Sequence, residues 1–487
     1  MMNVLLDPRT CERARLARDP RFDGRFFLGV RSTGIYCRPI CPAPAARAEN
    51  VEYFMTAAAA AEAGFRPCLR CRPETAPGTP AWQGTSTTVS RALRLIADGA
   101  LDAGSVEELA SRLGVTSRHL ARLFRQHLGA SPLAVATTRR LQFAKRLIDD
   151  TDMKFADIAA AAGFGSLRRF NAAVRATWKR SPSELRKLRR PLSAASGISL
   201  RISCRAPFDW RHWLDFLARR AIPGVERVDG SSYARVVVTQ GGTGRLRITP
   251  DDHGAFLNIE GVPPVELFQV VRKARALLDA DADPLSIIDT LREDDSLRRH
   301  VEARPGIRVP GAYDAFELAV RAVLGQQISV AAARTLAARI VTHWGEAVAE
   351  PREGLTHVFP APEALAGAPL ESIGLPAKRA DALRALARAF ANGVIDLDAE
   401  PQAVREQLVA LPGIGEWTAH YISMRALRDP DALPAADLVL RKMLGNGAPL
   451  ATRQVEWHSQ RWRPWRAYAL MHLWAAATDH ASTREAS

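Results

Sequence analysis

Nowhere in the 487 residues does an apolar run approach the roughly 18 needed to cross a bilayer as a helix, which argues against an integral membrane protein. The opening stretch is equally spare. Val4-Leu5-Leu6 runs straight into Asp7-Pro8-Arg9, so no secretory leader is expected and a cytoplasmic setting is. Cysteine is scarce too, six in all, and in a reducing compartment paired cysteines serve more often as metal ligands than as disulfides. What is present is ordinary folded protein, 47% hydrophobic and 24% charged, too long for one core and sized for roughly three domains.

Acid is what the first 190 residues lack. They hold 32 of the 67 Lys+Arg but only 17 of the 52 Asp+Glu, a net +15, which leaves 35 of each sign and no net charge for the remainder. A field of that sign favours a polyanion, nucleic acid first, since nothing resembles an amphipathic membrane anchor. "ETAPGTPAWQGTSTT" (74–88) and "RKLRRPLSAASGIS" (186–199) read as linkers, dividing the chain into 1–74, 89–190 and 199–480.

The middle segment repeats itself. "SVEELASRLGVTSRHLARLFRQHLGASP" (105–132) returns as "KFADIAAAAGFGSLRRFNAAVRATWKRSP" (154–182), with Gly114 answered by Gly163 and Ser131-Pro132 by Ser181-Pro182. Each copy reads as helix, Gly-containing turn, helix, whose second helix can enter a major groove. Ser117, Arg118, His119 and Arg122 in the first copy, and Ser166, Arg168, Arg169 and Asn171 in the second, take the outward positions. Leu120, Leu123, Phe124 and Phe170 face the core. The pattern resembles the DNA-binding unit of AraC-type regulators.

Four of the six cysteines stand in two hooks, Cys37-x3-Cys41 and Cys68-x2-Cys71, a spacing that closes a tetrahedral thiolate site around Zn²⁺. A structural knuckle is the commonest use of such spacing. Four thiolates on one zinc also make a doubly negative, nucleophilic centre. Arg31, Arg38, Arg47, Arg66, Arg70 and Arg72 around it would draw in a phosphate backbone. "DPRFDGRFFLGVRSTGIYCRPICPAP…FRPCLRCRPE" resembles the N-terminal domain of the Ada family of alkylation-repair proteins. The resemblance implies that Cys37 irreversibly accepts a methyl group from a DNA methylphosphotriester, with Cys41, Cys68 and Cys71 completing the zinc site; the charge alone puts Arg38, Arg66 and Arg70 near DNA. Cys11 and Cys204 fit no spacing.

The neutral part begins with β-rich runs such as "YARVVVTQ" and "RLRITP" and turns helical almost throughout from 313. "LVALPGIGEWTAHYISMRAL" (408–427) carries a helix-hairpin-helix signature, in which Gly413 and Gly415 let backbone N–H groups approach a phosphate, beside Thr418. Trp417 and Tyr421 lie i, i+4 and share a face. Asp437 opens the next helical run, where the helix dipole favours a negative charge. It reads equally as an N-cap or as a carboxylate that stabilises a sugar cation. "RAVLGQQISVAAA", "LPGIGEWTAHYISMRAL", "LPAADLVLRK" and "RWRPWRAYALMHLWAAA" resemble the AlkA family of alkylpurine DNA glycosylases. That resemblance makes Asp437 the catalytic aspartate and Trp417, Tyr421 and Trp474 the lining of a pocket for a flipped, alkylated base. It also places Gln326 and Gln327 in the segment that wedges into the duplex, and a monovalent cation at the hairpin.

Ada proteins often continue into an alkylguanine methyltransferase carrying Pro-Cys-His-Arg, and that tetrapeptide does not occur here. The expected fold class is multidomain: a small α+β zinc domain (1–74), an all-α double helix-turn-helix domain (89–190), then a glycosylase with a small α/β subdomain (199–300) and an all-α helix-hairpin-helix core (301–480). The expected partners of the monomer are double-stranded DNA, both promoter and alkylated, and RNA polymerase during activation. The alternative is a repair glycosylase whose zinc and helix-turn-helix domains only add DNA affinity.

Overall fold

A computed structural model describes residues 7–77, 87–189, 197–252 and 254–485. The Val4-Leu5-Leu6 run, residues 78–86 of the first linker and residues 190–196 of the second lie outside the described residues. Two compact units emerge: residues 1–206 with 251–272 and 280–282, and residues 207–250 with 273–279 and 283–487. No described helix is long and apolar enough to cross a membrane.

In the first unit a four-stranded sheet, ordered Val51–Phe54, Phe27–Val30, Ile35–Cys37, Arg66–Pro67, forms the zinc-binding fold together with the helices Pro8–Leu16 and Ala57–Glu62. The last strand pairs parallel to Ile35–Cys37, with Ile35 opposite Arg66 and Tyr36 opposite Pro67. The sheet is small, and its core is partly sulfur: Cys11, Cys37, Cys68 and Cys71 pack with Ala14, Phe26 and Leu28.

The repeat folds as two helix-turn-helix motifs, Val106–Arg112 with Ser117–Leu128 and Phe155–Ala161 with Leu167–Trp178, separated by the helix Pro132–Asp150. The recurring Ser-Pro pairs are helix starts. Ser131 and Ser181 cap the helices that follow, each with proline at the first turn, where its missing N–H costs nothing. Gly114 and Gly163 take φ of +71° and +75° in the turns. At Gly163 a β-carbon would also come within 2.7 Å of the Asp102 carboxylate, so two constraints fix that glycine. Ile198–Ser203 then pairs antiparallel with Gly254–Glu260.

In the second unit Glu226–Val228, Tyr233–Thr239 and Gly242–Asp251 pair in succession as an antiparallel meander. The helical run expected from 313 is interrupted by a hairpin, Ala347–Arg352 with Leu355–His357. Its Val348 and Leu355 bury the meander's Ala234 and Val236, so an apolar sheet face that would otherwise meet water is covered. A buried ionic network ties this sheet to the Ala315–Leu324 helix: Arg235 meets Glu317 at 2.7 Å, Arg321 bridges Glu226 and Glu317, and the Tyr233 hydroxyl donates to Glu226 at 2.6 Å. Removing one partner from such a network costs about 3–5 kcal/mol by stranding a buried charge, so the helix is held firmly where it enters the Gln326-Gln327 loop.

Two buried histidines set this unit's acid limit. Burial, then Arg304, pushes His212 down to about 4, and burial, then His212 and His300, pushes His472 down to about 3, with Asp209 opposing the shift at His212. Both are neutral when folded, whereas the unfolded chain takes up their protons near pH 6.5. Their contribution to stability is therefore level above that pH and falls as pH drops from about 6.5 towards 4, by roughly 2 kcal/mol per histidine at pH 5, while the buried Asp279, pushed up to about 6 by burial, offsets part of it. Urea unfolding at pH 7 and pH 5 checks this, and His472→Met is expected to flatten the slope.

Candidate zinc centre and base-excision site

The two cysteine hooks meet because the sheet brings them together. Cys37 ends a strand, and Cys68, directly after the partner strand, donates its N–H to the Tyr36 carbonyl at 3.0 Å. The four Sγ atoms lie within 4.8 Å of one another. Tetrahedral Zn–S bonds of about 2.3 Å require sulfurs roughly 3.8 Å apart, so this all-sulfur donor set fits zinc. The Arg38 and Arg70 N–H groups each point at a sulfur, Cys71 and Cys68 respectively, at 3.4 Å, which favours thiolate. Cys37 is 8% exposed, and Cys41 is the most open of the four.

The surrounding arginines divide. Arg38 is not a surface DNA contact, contrary to expectation. Its Nε and Nη2 meet the buried Asp23 carboxylate, and its Nη1 donates to the Cys71 carbonyl (3.1 Å) and the Thr75 hydroxyl (2.7 Å). A buried carboxylate needs a counter-charge, and Arg38 supplies it. Arg72 likewise turns to Asp149, Asp150 and Glu74. Arg70 is exposed and Arg66 half-buried, and neither pairs with a described carboxylate.

The outward positions of the repeat are open to differing degrees. Arg118, Arg122, Arg168 and Arg169 are exposed and His119 and Asn171 half-buried, over a core that includes Leu120, Phe124 and Phe170.

In the second unit Asp437 takes the N-cap position that one of its two readings gave it, and its carboxylate also faces aromatic rings. It caps the Leu438–Leu444 helix, its Oδ1 accepting the Leu440 N–H at 2.9 Å. The same oxygen accepts the Trp474 indole N–H at 3.0 Å, and Oδ2 accepts that of Trp417 at 3.0 Å. Three donors thus hold the carboxylate against an aromatic wall. Trp417 and Tyr421 stack with centroids 5.3 Å apart at 7°, and Tyr421 lies 6.3 Å from Trp474.

Phe216, Arg220 and Arg425 complete the site and escaped the sequence reading. Arg425 donates to the Tyr421 hydroxyl at 2.8 Å and to the Pro310 and Gly311 carbonyls. Arg220 lies over the Phe216 ring at 3.7 Å. Burial pushes the Tyr421 phenol up, but Arg425 and Arg220 outweigh it and hold it below its ordinary value. The only signal was charge inside an apolar run: "FLARRAI" for Arg220, "ISMRAL" for Arg425.

The hairpin is open where a phosphate would sit. Gly415 starts the Glu416–Arg425 helix with no side-chain cap. Gly413 has φ +77°, and a β-carbon there would meet that of Ala382 at 2.7 Å. Gln326 and Thr418 are corrected from DNA contacts to internal braces. The Gln326 amide donates to the Gly413 carbonyl and the Thr418 hydroxyl, both at 3.0 Å, and Thr418 is buried. With the Leu411 carbonyl also taken, by the Ile414 N–H, a monovalent cation at the hairpin would share carbonyls already in use. Gln327 alone projects at the tip, exposed, with φ +58°.

Four family models match in series: the metal binding domain of Ada over residues 10–74, a helix-turn-helix domain over 109–188, the AlkA N-terminal domain over 199–314 and the HhH-GPD superfamily of base excision DNA repair proteins over 320–464. The first of these, with the four-cysteine cluster, identifies a Zn²⁺ site. DNA-3-methyladenine glycosylase 2 of Escherichia coli is 35% identical over 56% of this chain and 95% of its own. The bifunctional transcriptional activator/DNA repair enzyme Ada of the same organism is 43% identical over 24% of this chain and 32% of its own. A 3-methyladenine DNA-glycosylase structure from Archaeoglobus fulgidus shares the fold of 56% of this chain and 96% of its own, with TM-score 0.50 at 24% identity. A probable bifunctional transcriptional activator/DNA repair enzyme AlkA of Mycobacterium tuberculosis is 44% identical over 96% of both chains. With likeness running the full length and through all four segments, the chain belongs to the family of bifunctional transcriptional activator/DNA repair enzymes AlkA.

Proposed function

We propose that the protein excises alkylated purines such as 3-methyladenine from duplex DNA and, with its first unit, senses methylated DNA to activate transcription. It does so as a cytoplasmic monomer that engages RNA polymerase at the promoter. The observation that carries the first half is the Asp437 carboxylate held between two indole N–H groups beside a stacked aromatic pair.

A purine alkylated at N3 or N7 is cationic, and the faces of Trp417, Tyr421 and Trp474 attract it once flipped. Already a good leaving group, it departs with the bonding electron pair. Positive charge is left on the sugar, which Asp437 stabilises while orienting water for attack at C1′. Gly413 and Gly415 give the backbone a close, sequence-tolerant grip on phosphate, and Gln327 enters the space the base vacates. Gln327→Gly, which removes a left-handed strain of about 1–3 kcal/mol, is expected to raise the melting temperature slightly yet slow base release. Thermal unfolding beside single-turnover excision checks this.

In the first unit, Cys37 Sγ attacks the methyl carbon of a phosphotriester. The S–C bond forms, the C–O bond breaks, and the electron pair stays with the phosphate oxygen, restoring its charge. Zinc, when bound, keeps that sulfur a thiolate within a doubly negative cluster. Conversion to a thioether removes one negative charge, lessens repulsion of phosphate and so raises promoter affinity. One experiment tests both halves. Zinc-loaded protein is incubated with alkylated DNA, released base is measured by chromatography, and methyl on the 10–74 segment is measured by mass spectrometry. Base release without a methyl adduct would leave a glycosylase whose front half only binds DNA.

A further inference from the structure

The Pro132–Asp150 helix that separates the two helix-turn-helix motifs is gripped at both ends by the zinc-binding fold. At its start Glu62 accepts both the Ser131 N–H (3.0 Å) and the Ser131 hydroxyl (2.7 Å), and the Thr56 hydroxyl donates to the Leu128 carbonyl at 2.9 Å. Ala58 and Ala59 pack against Ala130 alongside. Towards its end Arg72 reaches Asp149 at 2.9 Å and Asp150 at 3.1 Å, while Glu74 faces Lys145 at 3.7 Å, which in turn holds Asp149 at 2.5 Å. Midway the buried Tyr36 phenol comes close to Gln142.

The middle and far grips start within three residues of a zinc ligand: Tyr36 precedes Cys37, Arg72 follows Cys71, and Glu74 lies three beyond Cys71. Arg72 stands at φ +51°, a left-handed conformation that costs a non-glycine residue roughly 1–2 kcal/mol and is held here by three carboxylates. The seating of the Cys68–Cys71 turn is thereby tied to the far end of the helix, while the near end is fixed through Glu62. The two recognition helices, Ser117–Leu128 and Leu167–Trp178, flank those ends in sequence.

We propose that the Pro132–Asp150 helix couples the metal site to DNA recognition: it sets the spacing of the two recognition helices according to the state of the four-cysteine cluster, with Arg72 as the positioning residue. The coupling rests on the zinc site but not on methyl transfer. Methyl capture by Cys37 alongside an unresponsive helix would therefore remove this coupling alone.

The test is hydrogen exchange of residues 132–150 in the full-length protein, zinc-loaded and chelator-stripped, followed by mass spectrometry. Stripping zinc from the wild type, which releases the grips of residues 56–74 together, is expected to speed exchange along this helix on the order of tenfold or more, at both ends. Zinc-loaded Arg72→Ala is expected to speed exchange in the C-terminal half alone while still binding one zinc, with Arg72→Lys restoring part of the protection. If Arg72→Ala does not take up zinc, the double variant Asp149→Asn/Asp150→Asn breaks the same contacts from outside the knuckle and carries the same expectation. A wild-type helix indifferent to zinc removal overturns the proposal, as does a zinc-loaded variant with undiminished protection.

Discussion

Asp437→Asn is expected to slow release of 3-methyladenine by roughly 10²–10³-fold or more while leaving duplex affinity largely intact. The substitution removes the one carboxylate against the aromatic wall and little else. Asparagine is as good an N-cap as aspartate, so the Leu440 N–H keeps its acceptor. The loss falls on one indole: an amide offers one oxygen where the carboxylate offered two, and with that oxygen kept on the Leu440 N–H and Trp474 its NH₂ opposes the Trp417 N–H. That mismatch costs about 1–3 kcal/mol of local stability, too little to unfold the unit. Affinity should survive because the substitution leaves untouched the Gly413–Gly415 hairpin, the phosphate grip proposed above. Single-turnover excision with a parallel binding titration decides the matter, and a variant releasing base at near wild-type rate would remove Asp437 from its catalytic role.

The second large effect belongs to Cys37. Incubation with methylphosphotriester DNA should leave one methyl on the wild-type protein, located on Cys37, and none on Cys37→Ala. Since Cys41 is the more exposed sulfur, peptide mapping must separate the two, and a methyl found on Cys41 would overturn the assignment. Removing zinc should act more broadly. Three of the four ligands are themselves core residues of this small fold, so chelation removes packing as well as metal, and structural zinc is worth about 10–16 kcal/mol in small domains. Residues 10–74 should unfold on chelation. Base release should persist, because the Asp437 site draws on none of those residues.

Much of this was legible because it is periodic or closely spaced. The 49-residue repeat, the two cysteine hooks and the Pro-Gly-Ile-Gly hairpin announce local geometry through residues a few positions apart, and the structure realises each of them. The Trp417–Tyr421 stack follows from i, i+4 spacing in the same way. What escaped depends on partners far apart in the chain. Nothing near Arg38 in sequence signals that Asp23 would claim it, and Gln326 turns inward to Gly413, 87 residues away. Arg220 and Arg425 look like solvated charges in apolar runs until the fold sets both beside Tyr421. The hairpin at 347–357 was missed because its few alternating residues sit inside a long helical stretch, where the stronger period dominates.

The grips on the Pro132–Asp150 helix also bear on how such chains can be assembled by recombination. A joint placed in the stretch between residue 77 and residue 87 looks harmless in sequence. Cutting there would part Glu62 from Ser131 and Arg72 from Asp149, and would bare the small apolar patch of Ala58, Ala59 and Ala130 on both fragments. Gene shuffling should therefore carry the metal-binding and promoter-reading modules as one cassette, and a transplanted half should need compensating surface changes before it stays in solution.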